Sequence, residues 1–223
     1  MAVTRAEQQL GEARRLFTQA GAQVLDLPAL VVTPPDDWGP LDDALAELET
    51  FHWIVFSSAN GVEAVEQRLR RLGGGLARRP TGVRLAAVGR RTAKVLEELG
   101  AAADFVPPEF VADSLIEHFP VSGWGLRLLL PRVQSGGRTL LAEAFAAAGG
   151  RVAEVAAYET RCPQGLPSAA LLAFERRQIA AITFSSGKTV THTCQLLERS
   201  FGEGWRQRLD GVPLVSIGPQ TSR

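Results

Sequence analysis

The feature that most constrains the fold of this chain is an internal repeat. Three pairs of matching positions define it: Gly21 with Gly149, Ser57 with Ser185, and Gly89 with Gly218. The offsets are 128, 128 and 129 residues. Solenoid repeats have much shorter periods, about 20 to 50 residues. The repeat therefore predicts two similar domains.

The first unit of the repeat begins with a short strand and a helix. Ala2–Thr4 is a short apolar strand, and Leu10, Ala13, Phe17 and Ala20 then recur at helical spacing. Gly21 is placed to end this helix, because glycine is favoured just past a helix C-terminus. The segment QVLDLPALVV that follows is predicted to be extended.

The next segments alternate in the same way. The sequence predicts a buried strand in HWIVFSS, a helix in GVEAVEQRLRRL, a strand in RLAAVG and a helix in TAKVLEELG, with ADFVPP as a short further strand. Alternation of this kind is typical of βα units around a mostly parallel sheet. The fold class predicted is therefore α/β.

The two copies of the repeat differ in length. Arg223 aligns with Lys94, and the first copy continues for another 25 residues, from Val95 to Phe119. The second copy has no counterpart of these residues. We therefore expect a further segment beyond Arg223, since a sheet edge and a helix would otherwise be left uncovered.

Composition excludes several classes of protein. The chain has 24 basic and 24 acidic residues, whereas a nucleic-acid-binding protein needs a basic surface to neutralise phosphates. Its apolar runs are far shorter than the ~20 residues that cross a bilayer, and MAVTRAEQQL has no apolar leader. We expect a cytoplasmic protein that contacts neither nucleic acid nor membrane.

Other residues that often carry chemistry form no motif here. His52, His118 and His192 are scattered, and the two cysteines, too few for a disulfide framework, are read as reduced structural thiols without metal spacing. Gly187-Lys188-Thr189 resembles the end of a phosphate-binding loop, but the first glycine of that motif would fall at Ile182. No metal site is predicted.

The candidate binding residues follow the predicted strands. In an open parallel sheet, ligands bind beyond the carboxyl ends of the strands. Reading only those positions gives Thr4, Arg5, Ser57, Ser58, Asn60, Gly89, Thr92, Arg132, Ser185, Ser186, Gly187, Gly218 and Thr221. Most of them belong to turns that are present in both halves.

These turns suit an anionic ligand. Each offers free backbone N–H groups at a helix N-terminus, where anions are favoured. Ordinary N-capping is the alternative for the serines, and an exposed surface position is the alternative for Arg5 and Arg132. The repetition of three such turns in both halves favours carboxylate or phosphate binding. Tyr158, the only tyrosine, would by itself be read as a packing residue.

The motifs taken together resemble one enzyme family. They are VTRA, FSSANGVEAV, AVGRRTAKVLEELG, GGRVAEVAAYET, FSSGKTV and SIGPQT, in this order between residues 3 and 222. This series is similar to that of uroporphyrinogen-III synthases, the cyclising enzymes of tetrapyrrole biosynthesis. Each motif is weak alone, and the order and spacing carry the resemblance.

The resemblance implies a fold of two flavodoxin-like domains joined by a two-stranded linker, with the second domain inserted in the first. Residues 1–32 and 163–223 would form one domain and residues 37–157 the other, with linkers at 33–36 and 158–162. The repeat alone is equally compatible with two consecutive domains.

The resemblance also implies an activity. It is the cofactor-free cyclisation of hydroxymethylbilane, a linear tetrapyrrole, to uroporphyrinogen III, with loss of water and inversion of ring D. Tyr158 would help the hydroxyl leave, and Thr92 and Thr221 would position carboxylates or the leaving group. We expect a monomer with transient contact to the preceding enzyme. A regulatory module that binds an anionic effector and a periplasmic-type binding protein are the alternatives.

Overall fold

The computed structural model describes residues 1–5, 10–122, 124–136 and 139–222. The chain forms two compact units: unit 1 is Met1–Val32 with Thr160–Arg223, and unit 2 is Thr33–Glu159. Each unit contains a sheet flanked by helices. The predicted α/β class with parallel sheets is confirmed.

The strands of the described residues are β1 (Ala2–Val3), β2 (Leu25–Asp26), β3 (Val31–Thr33), β4 (Trp53–Phe56), β5 (Arg84–Ala87), β6 (Arg127–Val133), β7 (Arg151–Arg161), β8 (Ile182–Phe184) and β9 (Leu214–Ser216). Their helices are α1 (Leu10–Gln19), α2 (Gly39–Ala46), α3 (Ala59–Arg71), α4 (Arg90–Glu98), α5 (Ala112–Glu117), α6 (Leu140–Ala147), α7 (Ser168–Glu175), α8 (Gly187–Phe201) and α9 (Pro219–Ser222).

The sheet of unit 1 has the strand order β2-β1-β8-β9, and all three pairs are parallel. Counted along the chain within the unit, this is the order 2-1-3-4 of flavodoxin-like sheets. Its core contains Leu27, Phe174, Ile182, Leu197 and Trp205, all at most 7% exposed. Burial of this apolar surface is the main force that holds the unit together.

The sheet of unit 2 has the order β3-β7-β6-β4-β5, with parallel pairing from β7 to β5. One face of it is covered by an aromatic cluster, in which Phe119 contacts Trp53, Phe105 and Phe145 at centroid distances of 4.8 to 5.7 Å. Such tilted and edge-to-face pairs add specific packing to the buried area.

The two sheets confirm the internal repeat. The order β2-β1-β8-β9 of unit 1 is the same as the order β7-β6-β4-β5 of unit 2 when each strand is matched through the repeat. The carboxyl ends of β8 and β4 are therefore equivalent positions, and so are those of β9 and β5.

Two predicted extended segments differ in the structure. QVLDLPALVV is not one strand, because Pro28 lacks an amide hydrogen and β2 and β3 on either side of it belong to different sheets. ADFVPP forms only a single bridge, between Phe105 and Ala86, since the prolines at 107 and 108 cannot donate to a ladder.

The sheet edges at β9 and β5 are covered differently. Leu214, Val215 and Ile217 at β9 are 57%, 48% and 70% exposed, whereas the equivalent strand in unit 2 packs against α5 through the fully buried Leu115. The predicted domain boundaries and linkers stay predictions; the residues from Tyr158 to Arg161 belong to β7.

Candidate active site

Unit 2 gathers polar side chains at the carboxyl edge of its sheet. Ser57 and Ser58 follow β4, Gly89 follows β5, and Arg132 lies near the end of β6. Because β4, β5 and β6 run parallel, their carboxyl ends meet at the same edge. Tyr158 lies beside this edge, since its register partner is Val133.

A cavity of about 250 Å³ opens at this edge, which we call the Tyr158 cavity. Its polar lining is formed by Ser57, Arg132, Glu154 and Tyr158. Its remaining lining is mostly apolar and includes Val55 and Leu141. Apolar walls with a few convergent polar groups are typical of small-molecule sites.

Tyr158 is 9% exposed, and its hydroxyl lies 2.9 Å from the Oγ of Ser58. The register between β6 and β7 shifts between Arg132 and Val133, so that β7 contains a β-bulge directly before Tyr158. Bulges of this kind re-aim side chains and are frequent near functional sites.

The Tyr158 phenol is held in its neutral form. Burial raises its pKa above the ordinary value of 10.0, and the hydrogen bond with Ser58 opposes this. Glu159 raises the pKa further, whereas Arg132 lowers it. The phenol therefore keeps its proton near neutral pH and can donate a hydrogen bond there.

Arg132 is the cation of the Tyr158 cavity. Its guanidinium forms an ion pair with Glu154 and donates a hydrogen bond of 3.0 Å to the carbonyl of Gly136. These contacts hold a partly exposed arginine at the cavity, where a carboxylate of a ligand could compete with Glu154 for the same donors.

Two helix N-termini also lie at this edge, and they are capped differently. Ser58 accepts the amide hydrogen of Gly61 as the N-cap of α3, and Asn60 is half-buried in the first turn. Gly89 is the N-cap of α4 and has no side chain to cap it. Thr92, in the first turn of α4, is 4% exposed. The N-cap of α4 therefore supplies no side chain to bond the first backbone amides of the helix.

Unit 1 has a groove of about 390 Å³ that two of its predicted residues line, and we call it the Arg5 groove. Arg5 and Ser185 line it, together with apolar residues such as Phe17 and Ile217. Thr4 is fully buried beside it and donates its hydroxyl hydrogen to the carbonyl of Thr183 at 2.7 Å. Thr4 thereby joins β1 to β8.

The N-terminus of α8 has a complete capping box. Ser186 accepts the amide hydrogen of Thr189, and Thr189 accepts that of Ser186 at 3.2 Å. Gly187 is exposed in the first turn. Lys188 donates to the hydroxyl of Thr160 at 2.7 Å. The Ser186 hydroxyl therefore serves the helix itself.

The last predicted turn contains Gly218 and Thr221. Gly218 immediately precedes α9, and its carbonyl accepts the amide hydrogen of Thr221 at 3.0 Å. Gly218 and Thr221 are half-buried, and Gly218 stands at the end of β9 as Gly89 stands at the end of β5.

The structure brings Ser57, Ser58, Arg132 and Tyr158 together in unit 2, and Arg5 and Ser185 together in unit 1. The roles of all the predicted residues toward a substrate stay predictions. Sequence reasoning missed Glu154. Glu154 lies on the same strand as Tyr158, but the alternation of side chains could not place it, because the β-bulge before Tyr158 interrupts that alternation.

The histidines have structural roles. Nδ1 of His52 accepts the amide hydrogen of Arg127, His118 contacts Ser114, and Nδ1 of His192 lies 2.7 Å from the carbonyl oxygen of Ala29. Within residues 1–5, 10–122, 124–136 and 139–222, no group of three or more metal-ligating side chains converges. In the same residues, no helix is long and apolar enough to cross a membrane.

Comparison with known proteins identifies the family. Residues 11–223 match the model of the family described as uroporphyrinogen-III synthase HemD. A uroporphyrinogen-III synthase from Synechococcus elongatus is 45% identical over 219 residues, which are 98% of this chain and 82% of that protein.

Solved structures agree in fold. A mutant uroporphyrinogen III synthase from Thermus thermophilus superposes with a TM-score of 0.62 at 18% identity, covering 99% of this chain and 85% of that one. The enzyme from Helicobacter pylori gives a TM-score of 0.58 at 16% identity, covering 90% and 80%. The chain belongs to the uroporphyrinogen-III synthase family.

Proposed function

We propose that this protein converts hydroxymethylbilane to uroporphyrinogen III. The C–O bond of the hydroxymethyl group breaks and water leaves, which produces a reactive azafulvene. Ring D then attacks through its substituted carbon, and the spiro intermediate fragments and recloses with ring D inverted. The enzyme acts on a small tetrapyrrole and is a cyclising lyase.

The observation that carries this proposal is the 45% identity to a uroporphyrinogen-III synthase over 98% of the chain. The Tyr158 cavity supports it from the chemical side. It combines a buried neutral phenol with a cation, and its walls are mostly apolar. A tetrapyrrole has the same combination of apolar rings and anionic edges.

Tyr158 is the acid in this proposal. Departure of hydroxide from the hydroxymethyl carbon is slow unless the oxygen receives a proton as the bond breaks. The phenol supplies that proton, and water leaves. Because burial keeps the pKa of Tyr158 above its ordinary value, the proton is present throughout the neutral range.

The side chains near the strand ends hold the substrate carboxylates. Arg132 and Arg5 are the cations of this set. Thr92 lies in the first turn of α4, whose N-cap Gly89 has no side chain to bond the first backbone amides. Thr221 lies in α9, where its own amide already donates to the carbonyl of Gly218 and its hydroxyl is the group proposed to contact a carboxylate. Such donors bind carboxylates without a large net positive charge, and the chain has none.

Positioning is the larger part of the catalysis. The bilane also closes without an enzyme, and that reaction leaves ring D uninverted. An enzyme that holds the folded chain with the substituted carbon of ring D against the azafulvene therefore determines both rate and product. Action as a monomer in the cytoplasm, with transient contact to the preceding enzyme, belongs to the same proposal.

A product assay tests the function. Hydroxymethylbilane is generated in place by the preceding enzyme, the products are oxidised to porphyrins, and the type I and type III isomers are separated by chromatography. We expect type III in the presence of the protein. Type I alone, at the rate seen without the protein, would overturn the proposal and favour a module that only binds an anionic effector.

A further inference from the structure

The contact between Ser58 and Tyr158 joins a helix cap to the proposed acid. These residues are 100 positions apart, and their hydroxyl oxygens lie 2.9 Å apart. The same Oγ of Ser58 accepts the amide hydrogen of Gly61 at 3.2 Å. One serine oxygen therefore serves both the N-terminus of α3 and the phenol.

The hydrogen-bonding capacity of Ser58 accommodates both contacts. A serine hydroxyl has one hydrogen to donate and two lone pairs to accept. The amide of Gly61 occupies one lone pair, which leaves the hydrogen and the other lone pair for Tyr158. Ser58 can therefore accept from the neutral phenol and donate to the oxygen once its proton has left.

The backbone around Ser58 fixes where its hydroxyl lies. Ser58 is extended, with φ −150° and ψ 152°, as an N-cap residue is. A Cβ on Gly61 would lie 3.2 Å from the carbonyl oxygen of Pro131, so the first turn of α3 approaches β6 closely. On the other side, the carbonyl of Tyr158 accepts the amide hydrogen of Gln134 at 2.8 Å.

The equivalent cap in unit 1 shows what is special about Ser58. Ser186 and Thr189 form a reciprocal capping box, in which the third residue of α8 returns a hydrogen bond to the cap. The third residue of α3 is Gly61, which has no side chain to return one. Instead, the side-chain oxygen of Ser58 makes a second contact outside the helix, with the hydroxyl of Tyr158.

We propose that Ser58 is a positioning residue for Tyr158, and that the N-cap of α3 and the acid act as one hydrogen-bonded unit. This inference rests on the proposed function for its catalytic part only. Ser58 holds the phenol toward the Tyr158 cavity and stabilises the oxygen as negative charge develops on it. The dipole of α3 acts in the same direction, because the N-terminus of a helix favours negative charge.

Charged groups of the described residues lie near the phenol on two strands. Glu154 and Glu159 lie on its own strand and Arg132 lies on β6. Burial and Glu159 raise the pKa of Tyr158, and Ser58 and Arg132 lower it. Removal of the Ser58 hydroxyl takes away one of the two contacts that lower the pKa of Tyr158. The pKa therefore rises, and the phenol becomes a weaker acid.

The single tyrosine makes this measurable without substrate. Replacing tyrosine by 3,5-difluorotyrosine during expression labels Tyr158 alone. The fluorine atoms lower the pKa of the phenol, so that its ionisation can be followed by absorbance while the protein stays folded. We expect Ser58→Ala to move the titration midpoint up by about one unit, the effect of one hydrogen bond to a charged group. Ser58→Thr, which keeps the hydroxyl, is expected to restore the original midpoint.

Two further variants separate positioning from folding. Ser186→Ala removes the matching cap from α8 and is expected to leave the Tyr158 titration unchanged. Ser58→Gly removes the hydroxyl at little cost to the cap, since glycine is tolerated there, and is expected to shift the midpoint as Ser58→Ala does. An unchanged midpoint in both Ser58 variants would overturn the inference.

Kinetics test the catalytic part. We expect Ser58→Ala to lower kcat about tenfold with little change in KM, and to have no further effect in a Tyr158→Phe background. An equal loss in both backgrounds would show that Ser58 acts independently of Tyr158 and would overturn the inference. If the midpoint shifts but wild-type protein forms no type III product, the contact between the two residues is supported and the proposed function is what fails.

Discussion

Gly21 and Gly149, 128 residues apart, end two helices with the same backbone angle, φ +84°. In both cases the following residue donates its amide hydrogen to a phenylalanine carbonyl five positions back, from Ala22 to Phe17 and from Gly150 to Phe145. Each end is therefore a Schellman motif, which requires the left-handed conformation that glycine tolerates best. The two copies of the repeat therefore end these helices with the same backbone conformation and the same hydrogen bonds.

The two glycines differ in what an added methyl group would meet. A Cβ on Gly21 has nothing within 4 Å, whereas one on Gly149 would lie 2.8 Å from Cδ1 of Trp124. We expect Gly21→Ala to lower the free energy of unfolding by about 1 kcal/mol through backbone strain alone, and Gly149→Ala to lower it by more. Urea unfolding followed by circular dichroism measures both.

A double-mutant comparison isolates the steric part of that difference. In a Trp124→Ala background, Gly149→Ala should cost the same as Gly21→Ala, because the ring that it meets is gone. If the cost of Gly149→Ala is the same with and without the tryptophan, the contact does not explain the difference.

Replacement of the phenol tests the proposed acid. We expect Tyr158→Phe to lower kcat about 10²-fold or more, the usual contribution of a positioned proton donor, while KM changes little. The assay is the formation of type III isomer from hydroxymethylbilane. Turnover equal to that of the wild type would show that Tyr158 does not supply the proton.

Two arginines on one strand provide a matched pair. Arg127 begins β6 and pairs with Glu47, and Arg132 lies near its other end and pairs with Glu154. Arg132→Ala is expected to raise KM about tenfold, because one charge-assisted bond to a substrate carboxylate is lost. Arg127→Ala removes the same charge at the opposite edge of the sheet and should leave KM unchanged. Equal effects of the two would indicate a general effect of charge instead.

Alkaline stability reports the burial of Tyr158. Burial raises the folded-state pKa of Tyr158 above 10.0, so the unfolded chain loses this proton first as the pH rises. The unfolded state then binds fewer protons, and the free energy of unfolding falls from about pH 10 up to the folded pKa. Below pH 10 this contribution to stability is fully present.

Unfolding experiments at several pH values check this dependence. The half-buried thiols Cys162 and Cys194 also have raised pKa values, so they too lower the free energy of unfolding as the pH rises. The wild type is therefore compared with a variant that lacks only the phenol hydroxyl. Tyr158→Phe should make the decline above pH 10 shallower than in the wild type. An identical decline would mean that Tyr158 titrates alike in both states.

Much of the fold was predictable from the sequence. The alternation of apolar strands with helices predicts parallel α/β sheets, and the repeat predicts that the same turn recurs at Ser58 and Ser186. These features are local, since they depend on side-chain periodicity and on residues that cap helices. Pro28 shows the limit of such reasoning, because the sequence alone did not assign β2 and β3 to different sheets.

Sequence reasoning predicted individual residues of the site, but it did not predict which of them contact each other. Sequence determined that Ser58 follows a strand and caps a helix, and that Tyr158 is the only tyrosine. Only the tertiary structure decided that their hydroxyls lie 2.9 Å apart and that Glu154 pairs with Arg132. The reason is that sheet order and a β-bulge before Tyr158, which depend on packing between residues far apart in the chain, set those distances.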